Sequence, residues 1–306
     1  MRKFFPAVLF GCIVFTQPLK AQYYYYNDKY YENAVVFEIG VSTGIMNSLT
    51  DLGGKKGIGK NFIKDLNWKN TRLSFGGYVM AMYQNKLGLR LEGTFGSVKG
   101  YDSILKPVAS TTSGRYERNL SFRSKIADFQ LALEVHPLMF RNFEDDEPPL
   151  LSPYLIAGIG YYSFDPQAQL NGQWYSLQPL RLEGQGFAEY PDRKPYKLSQ
   201  VNFAAGLGVK YEINSVFNAR FELVHRILTT DYLDDVSTEY INPNLFYNYL
   251  PTNQAAIAQQ LYFRRNELNP SDAMPMPGDQ RGDPKDNDAF FTIQLKIGMT
   301  LGRTRR

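Results

Sequence analysis

The chain has 306 residues, of which 21% are charged and 15% aromatic, including 22 Tyr and 21 Phe, and its net charge is only +4. That balance favours strands over helices and over disorder. With no Lys/Arg cluster and no basic helix, it argues against a nucleic-acid partner.

Arg2 and Lys3, the apolar run from Phe4 to Phe15 and the small residue Ala21 before Gln22 predict a cleaved secretory signal over 1–21. The apolar run is too short for a membrane-spanning helix, which needs about 20 residues. Leu9-Phe10-Gly11-Cys12 offers a competing reading as a lipobox, but the apolar stretch before Cys12 is unusually short for one. Cys12 is the single cysteine, so the mature chain has neither a disulfide nor a cysteine metal site. A tyrosine-rich lead-in over 22–33 then precedes a β-barrel domain expected over 34–302.

Eight segments alternate apolar and polar residues with period two, the mark of strands with two unlike faces. The first sets Phe37, Ile39 and Val41 against Glu38, Gly40 and Ser42, and the second Leu73, Phe75 and Val79 against Arg72, Ser74 and Gly76. In the third, Leu87, Leu89, Leu91 and Phe95 oppose Gly88, Arg90, Glu92 and Thr94; in the fourth, Phe129, Leu131, Leu133 and Val135 oppose Asp128, Gln130 and Glu134. The fifth, Tyr154 to Phe164, is Gly-rich and its facing is open. The sixth alternates Val201, Phe203, Leu207, Val209 and Tyr211 with Asn202, Gly206, Gly208, Lys210 and Glu212. The seventh alternates Phe217, Phe221 and Leu223 with Arg220, Glu222 and Arg226. The last places Phe291, Ile293, Leu295, Ile297, Met299 and Leu301 opposite Thr292, Gln294, Lys296, Gly298 and Thr300.

Alternation alone does not separate a barrel with an apolar outside from one with an apolar inside. Three features favour the former. Connections alternate long and short, with tight turns at Gln84-Asn85 and Asn214-Ser215 and about sixty residues before Asp288, as in outer-membrane barrels. No charge falls on the apolar face of any predicted strand. The polar face carries Arg72, Arg90, Lys210, Arg220, Arg226 and Lys296 against Glu38, Glu92, Asp128, Glu134, Glu212 and Glu222, six of each sign. An eight-stranded barrel is just wide enough for side chains to fill it, and charges confined there are tolerated only when paired. The expectation is therefore an all-β, eight-stranded antiparallel transmembrane β-barrel of outer-membrane type with long loops on one side. Its lumen should hold an ion-paired plug that conducts no ions, with Gly40, Gly76, Gly88, Gly206, Gly208 and Gly298 leaving room for Arg and Lys arms.

His136 precedes Pro137 at a strand end and His225 falls on the apolar face; no Ser lies two residues from either, so no catalytic residue, cofactor or metal ligand is assigned. The acidic run Asp231, Asp234, Asp235, Glu239 lacks the spacing and central Gly of a calcium loop and reads as solvated loop charge. Arg281-Gly282-Asp283 is a triplet that arises easily by chance in a charged loop. The stretch from Pro270 to Asp286 reads as a mobile part of the last loop.

Three loop segments look less random: Trp174-Tyr175, then Glu183-Gly184-Gln185-Gly186-Phe187, then Asp231-Tyr232-Leu233-Asp234-Asp235-Val236-Ser237-Thr238-Glu239-Tyr240. With the later Arg281-Gly282, Lys285 and Asn287-Asp288, they resemble the outer-membrane barrel family of the Bacteroidota that includes the PorG subunit of the type IX secretion machinery, over about Val36 to Leu301. Arg181-Leu182 stand where that family has small residues. The resemblance implies a non-enzymatic barrel that docks periplasmic ring components to the outer membrane, its partners being outer-membrane lipid and secretion proteins. The link from Arg141 to Pro149, with Asp145, Asp146 and Glu147, is long for a periplasmic turn and offers a charged surface for them. The alternative is a surface adhesin or shielding barrel of the OmpA/OmpX kind, unrelated to secretion. In either case the loop motifs are expected to pack on one another, with Trp174 and Tyr240 as buried anchors and Arg281 or Lys285 pairing with Asp234 or Asp235.

Overall fold

Strands with one apolar and one polar face must cover both, and here they do so by closing on themselves. A computed structural model describes residues 33–53, 67–111, 114–141 and 149–302. The signal segment, Cys12, nearly all of the tyrosine-rich lead-in and Asp145, Asp146 and Glu147 lie outside the described residues. The strands are β1 (Val35–Leu49), β2 (Arg72–Tyr83), β3 (Leu87–Tyr101), β4 (Ser121–Val135), β5 (Leu151–Leu170), β6 (Gln173–Ser176), β7 (Ser199–Glu212), β8 (Phe217–Leu228) and β9 (Ala289–Leu301). Each long strand pairs antiparallel with its neighbours in sequence order, and β1 pairs with β9, for example Val41 with Ile297, to close the ring. The short β6 adds only to the far end of β5, so the barrel has eight staves.

Register decides which face meets what. Val41 is 67% exposed, Leu295 61% and Phe37 58%, whereas Glu38, Arg90 and Glu222, on the opposite parity, are buried. A single exposed Leu means little, but an unbroken apolar belt around the barrel far exceeds the patches that soluble monomers carry. Along β3 the belt runs outward from Leu87 to Phe95, which at the usual rise and tilt is about 20 Å of height, close to the apolar band of outer-membrane barrels. No described helix is long and apolar enough to cross a membrane; the strands are what would cross. β5 is now resolved: Tyr154, Ile156, Tyr162 and Phe164 point inward, Leu155, Ile159 and Tyr161 outward.

Three sequence expectations are corrected. The uncharged outer face holds only within the belt. β3, β4 and β5 run 15, 15 and 20 residues and continue above it, where their outward positions become Lys99, Arg123, Lys125 and Asp165. Phe291, expected to face lipid, is covered, with 6% of its surface exposed. Arg72, expected in the lumen, is exposed: it is the first residue of β2, at the rim above the plug.

The two tight turns share one end of the barrel with the start of β1 and the end of β9. Gln84 and Asn85 have φ of 49° and 55°, as a two-residue hairpin twisted like its strands requires. In the other turn, Val216 N and Phe217 N donate to Asn214 Oδ1 at 2.9 and 2.7 Å. At the opposite end the long connections form a cap that includes α1 (Arg115–Arg118), α2 (Phe246–Tyr249) and α3 (Thr252–Tyr262). Ala255, Ala258, Leu261 and Tyr262 give α3 one buried stripe. It packs into an apolar core with Leu180, Leu182, Phe187, Tyr240, Ile241 and Phe246. The segment expected to be mobile is partly seated in this cap: Tyr240 N donates to Asp279 O at 2.8 Å, Gly278 N to Tyr240 O at 2.9 Å and Arg281 N to Thr238 O at 2.9 Å.

Candidate functional site

The lumen gathers its charges into a connected network. Arg90, on β3, reaches Glu134 at 2.5 Å, Glu222 at 2.6 Å and Glu92 at 3.1 Å. Arg220, on β8, joins Glu134 and Glu38, each at 2.8 Å. Lys296 ties Glu92 at 2.5 Å to Glu222 at 2.8 Å. Lys210 lies 2.6 Å from Glu212 and 3.7 Å from Glu38, and Arg226 holds Asp128 at 2.7 Å. All of these side chains are buried or nearly so. With Arg72 outside, five cations face six carboxylates, not six of each.

The odd carboxylate is met by tyrosine hydroxyls and an imidazole that alternation did not reveal, and by the amide of Asn202, which alternation placed on the polar face. Tyr78 donates to Glu38 at 2.5 Å and Tyr154 to Glu222 at 2.6 Å. Asn202 donates to Asp128 at 2.8 Å. Tyr78 also lies under three cations, with Lys296, Arg220 and Arg90 at 5.3, 5.6 and 5.8 Å from its ring centre. Three of the six lumen glycines make room for tyrosines and not for Arg or Lys arms. A Cβ at Gly40 would overlap the Tyr78 ring, one at Gly208 the Tyr154 ring, and one at Gly298 both Glu38 and the Tyr78 hydroxyl.

His136 shares a hydrogen bond with Ser152 Oγ at 2.9 Å through Nδ1, and its Nε2 is 3.3 Å from Glu134. The order Ser, His, Glu is that of a hydrolase relay, and no sequence spacing announced it because the serine comes from the next strand. Its setting is structural. Ser152, His136 and Glu134 are 3%, 1% and 0% exposed, the Tyr154 ring stacks on the imidazole at 4.8 Å, and Glu134 is already held by two arginines. His225 stays on the outward face of β8, half-buried.

In the cap, Glu183 organises the loop motifs. Its carboxylate accepts from Ser237 N at 2.9 Å, Thr238 N at 3.0 Å, Thr238 Oγ1 at 2.8 Å and Arg281 Nη1 at 2.7 Å. Gly184 and Gly186 turn the chain around it at φ of 73° and 79°, and Gln185 Oε1 accepts from Glu183 N at 3.2 Å. The expected pairing of Arg281 or Lys285 with Asp234 or Asp235 is thus corrected. Arg281 pairs with Glu183 and donates to the backbone carbonyl of Asp235 at 2.6 Å, while Lys285 is exposed. Asp234 instead accepts from Leu52 N at 3.0 Å and Val236 N at 2.9 Å, and Asp235 from the Tyr196 hydroxyl at 2.6 Å. Tyr232 stacks on Tyr196 at 4.8 Å. Tyr240 is buried edge-on against Tyr262 at 5.1 Å. Trp174 is not a buried anchor: it remains 36% exposed with the Arg123 guanidinium 3.5 Å above its ring.

Of the acidic run, Glu239 is exposed as the sequence suggested, whereas Asp234 and Asp235 are buried and Asp231 is half-buried. Burial raises the Asp235 carboxyl to about 7. Burial and the nearby carboxylate of Asp51 raise Asp234 to about 8. Burial, with Asp234 and Asp51 adding to it, raises Asp231 to about 9. Asp288 is raised as well, by burial and then by Asp234 and Asp231. No group of three or more acids, His or Cys among the described residues has a metal-holding arrangement.

No protein-family model matches the sequence, and no curated protein matches it. Solved structures that resemble it include Ail, the attachment invasion locus protein of Yersinia pestis, at 10% identity and TM-score 0.34, covering 87% of this chain and 97% of that one. Neisserial surface protein A follows at 7% and 0.33 over 87% and 97%, and OprG of Pseudomonas aeruginosa at 11% and 0.31 over 86% and 95%. Likeness this slight adds nothing to what the strand pairing already establishes.

Proposed function

We propose that the chain is a non-enzymatic outer-membrane barrel whose strands anchor a folded cap at the cell surface, where the cap serves as a docking surface for protein. The observation that carries this reading is the cap's own buried core, joined to Glu183 and Arg281. Loops that only close a barrel need no apolar core, whereas a surface that must present a fixed shape does. The orientation follows from the short turns at the other end, the periplasmic side in such barrels. The sealed Ser152, His136 and Glu134 support a barrel without catalysis.

The secretion-ring role implied by the loop-motif resemblance would use the link at 141–149 on the periplasmic side, most of which lies outside the described residues. Affinity purification from detergent-solubilised outer membrane, repeated after replacing 229–288 by a short turn, tests both readings. Surface docking predicts that partners disappear with the cap. Periplasmic ring proteins that remain bound to the capless barrel would instead favour the secretion role and overturn the surface reading.

A further inference from the structure

Three cations stand on the outside of the barrel just above its apolar belt. β3 and β4 pair so that Lys99 lies directly opposite Arg123 and Ser97 opposite Lys125. All three share the outward parity of Phe95 and Phe129: Lys99 sits two outward positions beyond Phe95, and Lys125 and Arg123 two and three beyond Phe129. Like charges facing each other across a ladder destabilise it, and none of the three forms an ion pair within 4.0 Å among the described residues. Asp165 is opposite Lys125 in register, yet its Oδ2 accepts from Gln167 at 2.6 Å and Ser176 at 3.1 Å instead. Arg123 is held in place: Gln167 accepts from its Nε at 3.2 Å and Nη2 at 3.1 Å, and its guanidinium stacks over Trp174. Lys99 reaches over the Tyr101 ring at 4.9 Å.

We infer that Lys99, Arg123 and Lys125 form a binding site for the phosphates of a phosphorylated glycolipid headgroup in the outer leaflet. Given the membrane reading above, on which this rests, these side chains point sideways along the membrane plane, where lipid headgroups are their neighbours. An anion there offsets the Lys99–Arg123 repulsion, and the rings of Phe95 and Phe129 below meet the acyl chains. Basic side chains at a membrane surface each strengthen anionic lipid binding about fivefold.

The test uses the full chain in phosphatidylcholine nanodiscs doped with bis-phosphorylated lipid A, or with the same lipid dephosphorylated, and native mass spectrometry of the retained lipid. The wild-type chain should retain the phosphorylated form in preference. Lys125→Gln should weaken retention about fivefold, and Lys99→Gln with Lys125→Gln more than tenfold, without disturbing the Arg123–Trp174 stack. Lys194→Gln, an exposed cap cation, should change nothing. Equal retention of both lipids, or wild-type retention by the double variant, overturns the site while leaving the barrel in its membrane. Failure of the wild-type chain to insert at all overturns the membrane reading itself.

Discussion

Arg90 is the residue on which most of the lumen network converges, because Glu134, Glu222 and Glu92 all face it. Removing one partner of a buried ionic network leaves uncompensated charge and costs about 3–5 kcal/mol. Arg90→Met should therefore lower the temperature at which the folded band of the unheated protein is lost on a gel, and adding Glu222→Gln should recover part of the loss. Cap acids give a second residue-scale prediction. Asp231, Asp234 and Asp235 titrate near 9, 8 and 7 when folded, above the ~3.9 of an unfolded aspartate. The folded cap then binds more protons than the unfolded one, so its stability is greatest at acid pH and falls as pH rises towards 9. Limited proteolysis of the cap should be faster at pH 9 than at pH 6; the opposite order would show that these carboxyls are not held protonated. The charged lumen residues were legible from parity alone. Tyr78, Tyr154 and Ser152 were not, since a Tyr fits either face of such a strand and a serine hydroxyl acquires meaning only beside His136.

At the scale of the element, alternation located all eight staves but not their ends. The predicted strands stop where the apolar face stops, yet β3, β4 and β5 continue because their backbone ladders remain paired above the belt, where outward charges meet water and headgroups. For this reason Lys99, Arg123 and Lys125 could not be seen as a group in the sequence. Helix α3 was equally hidden: its stripe is narrow, and its core is completed by residues as distant as Leu180. Glu183 ties these pieces together. Glu183→Gln leaves the buried Arg281 guanidinium without its carboxylate, and protease should then cut within 230–240 readily. The barrel's gel shift should be unchanged, because no stave depends on that pair. Loss of both together would show cap and barrel to be one cooperative unit.

For the whole molecule, closure is the event that matters. Eight staves bring opposite walls near enough for Arg90 to touch Glu222 across 132 residues of chain, and a barrel of eight strands is narrow enough for such side chains to fill it. Planar bilayers containing the folded protein should show no steady, large single-channel currents; such currents would mean that the plug is not formed. Local order in the sequence determined which segments are strands and, for all but β5, which face most of their side chains take, because period two is a property of one strand and of its two surroundings. Which acid meets which base, how far each strand outruns the lipid, and that the long loops build a core of their own were decided only by the tertiary structure. Those outcomes depend on inter-strand register and on contacts between segments far apart in the chain, such as Glu183 with Arg281 and Arg90 with Glu222, and neither is encoded in any short window of the chain.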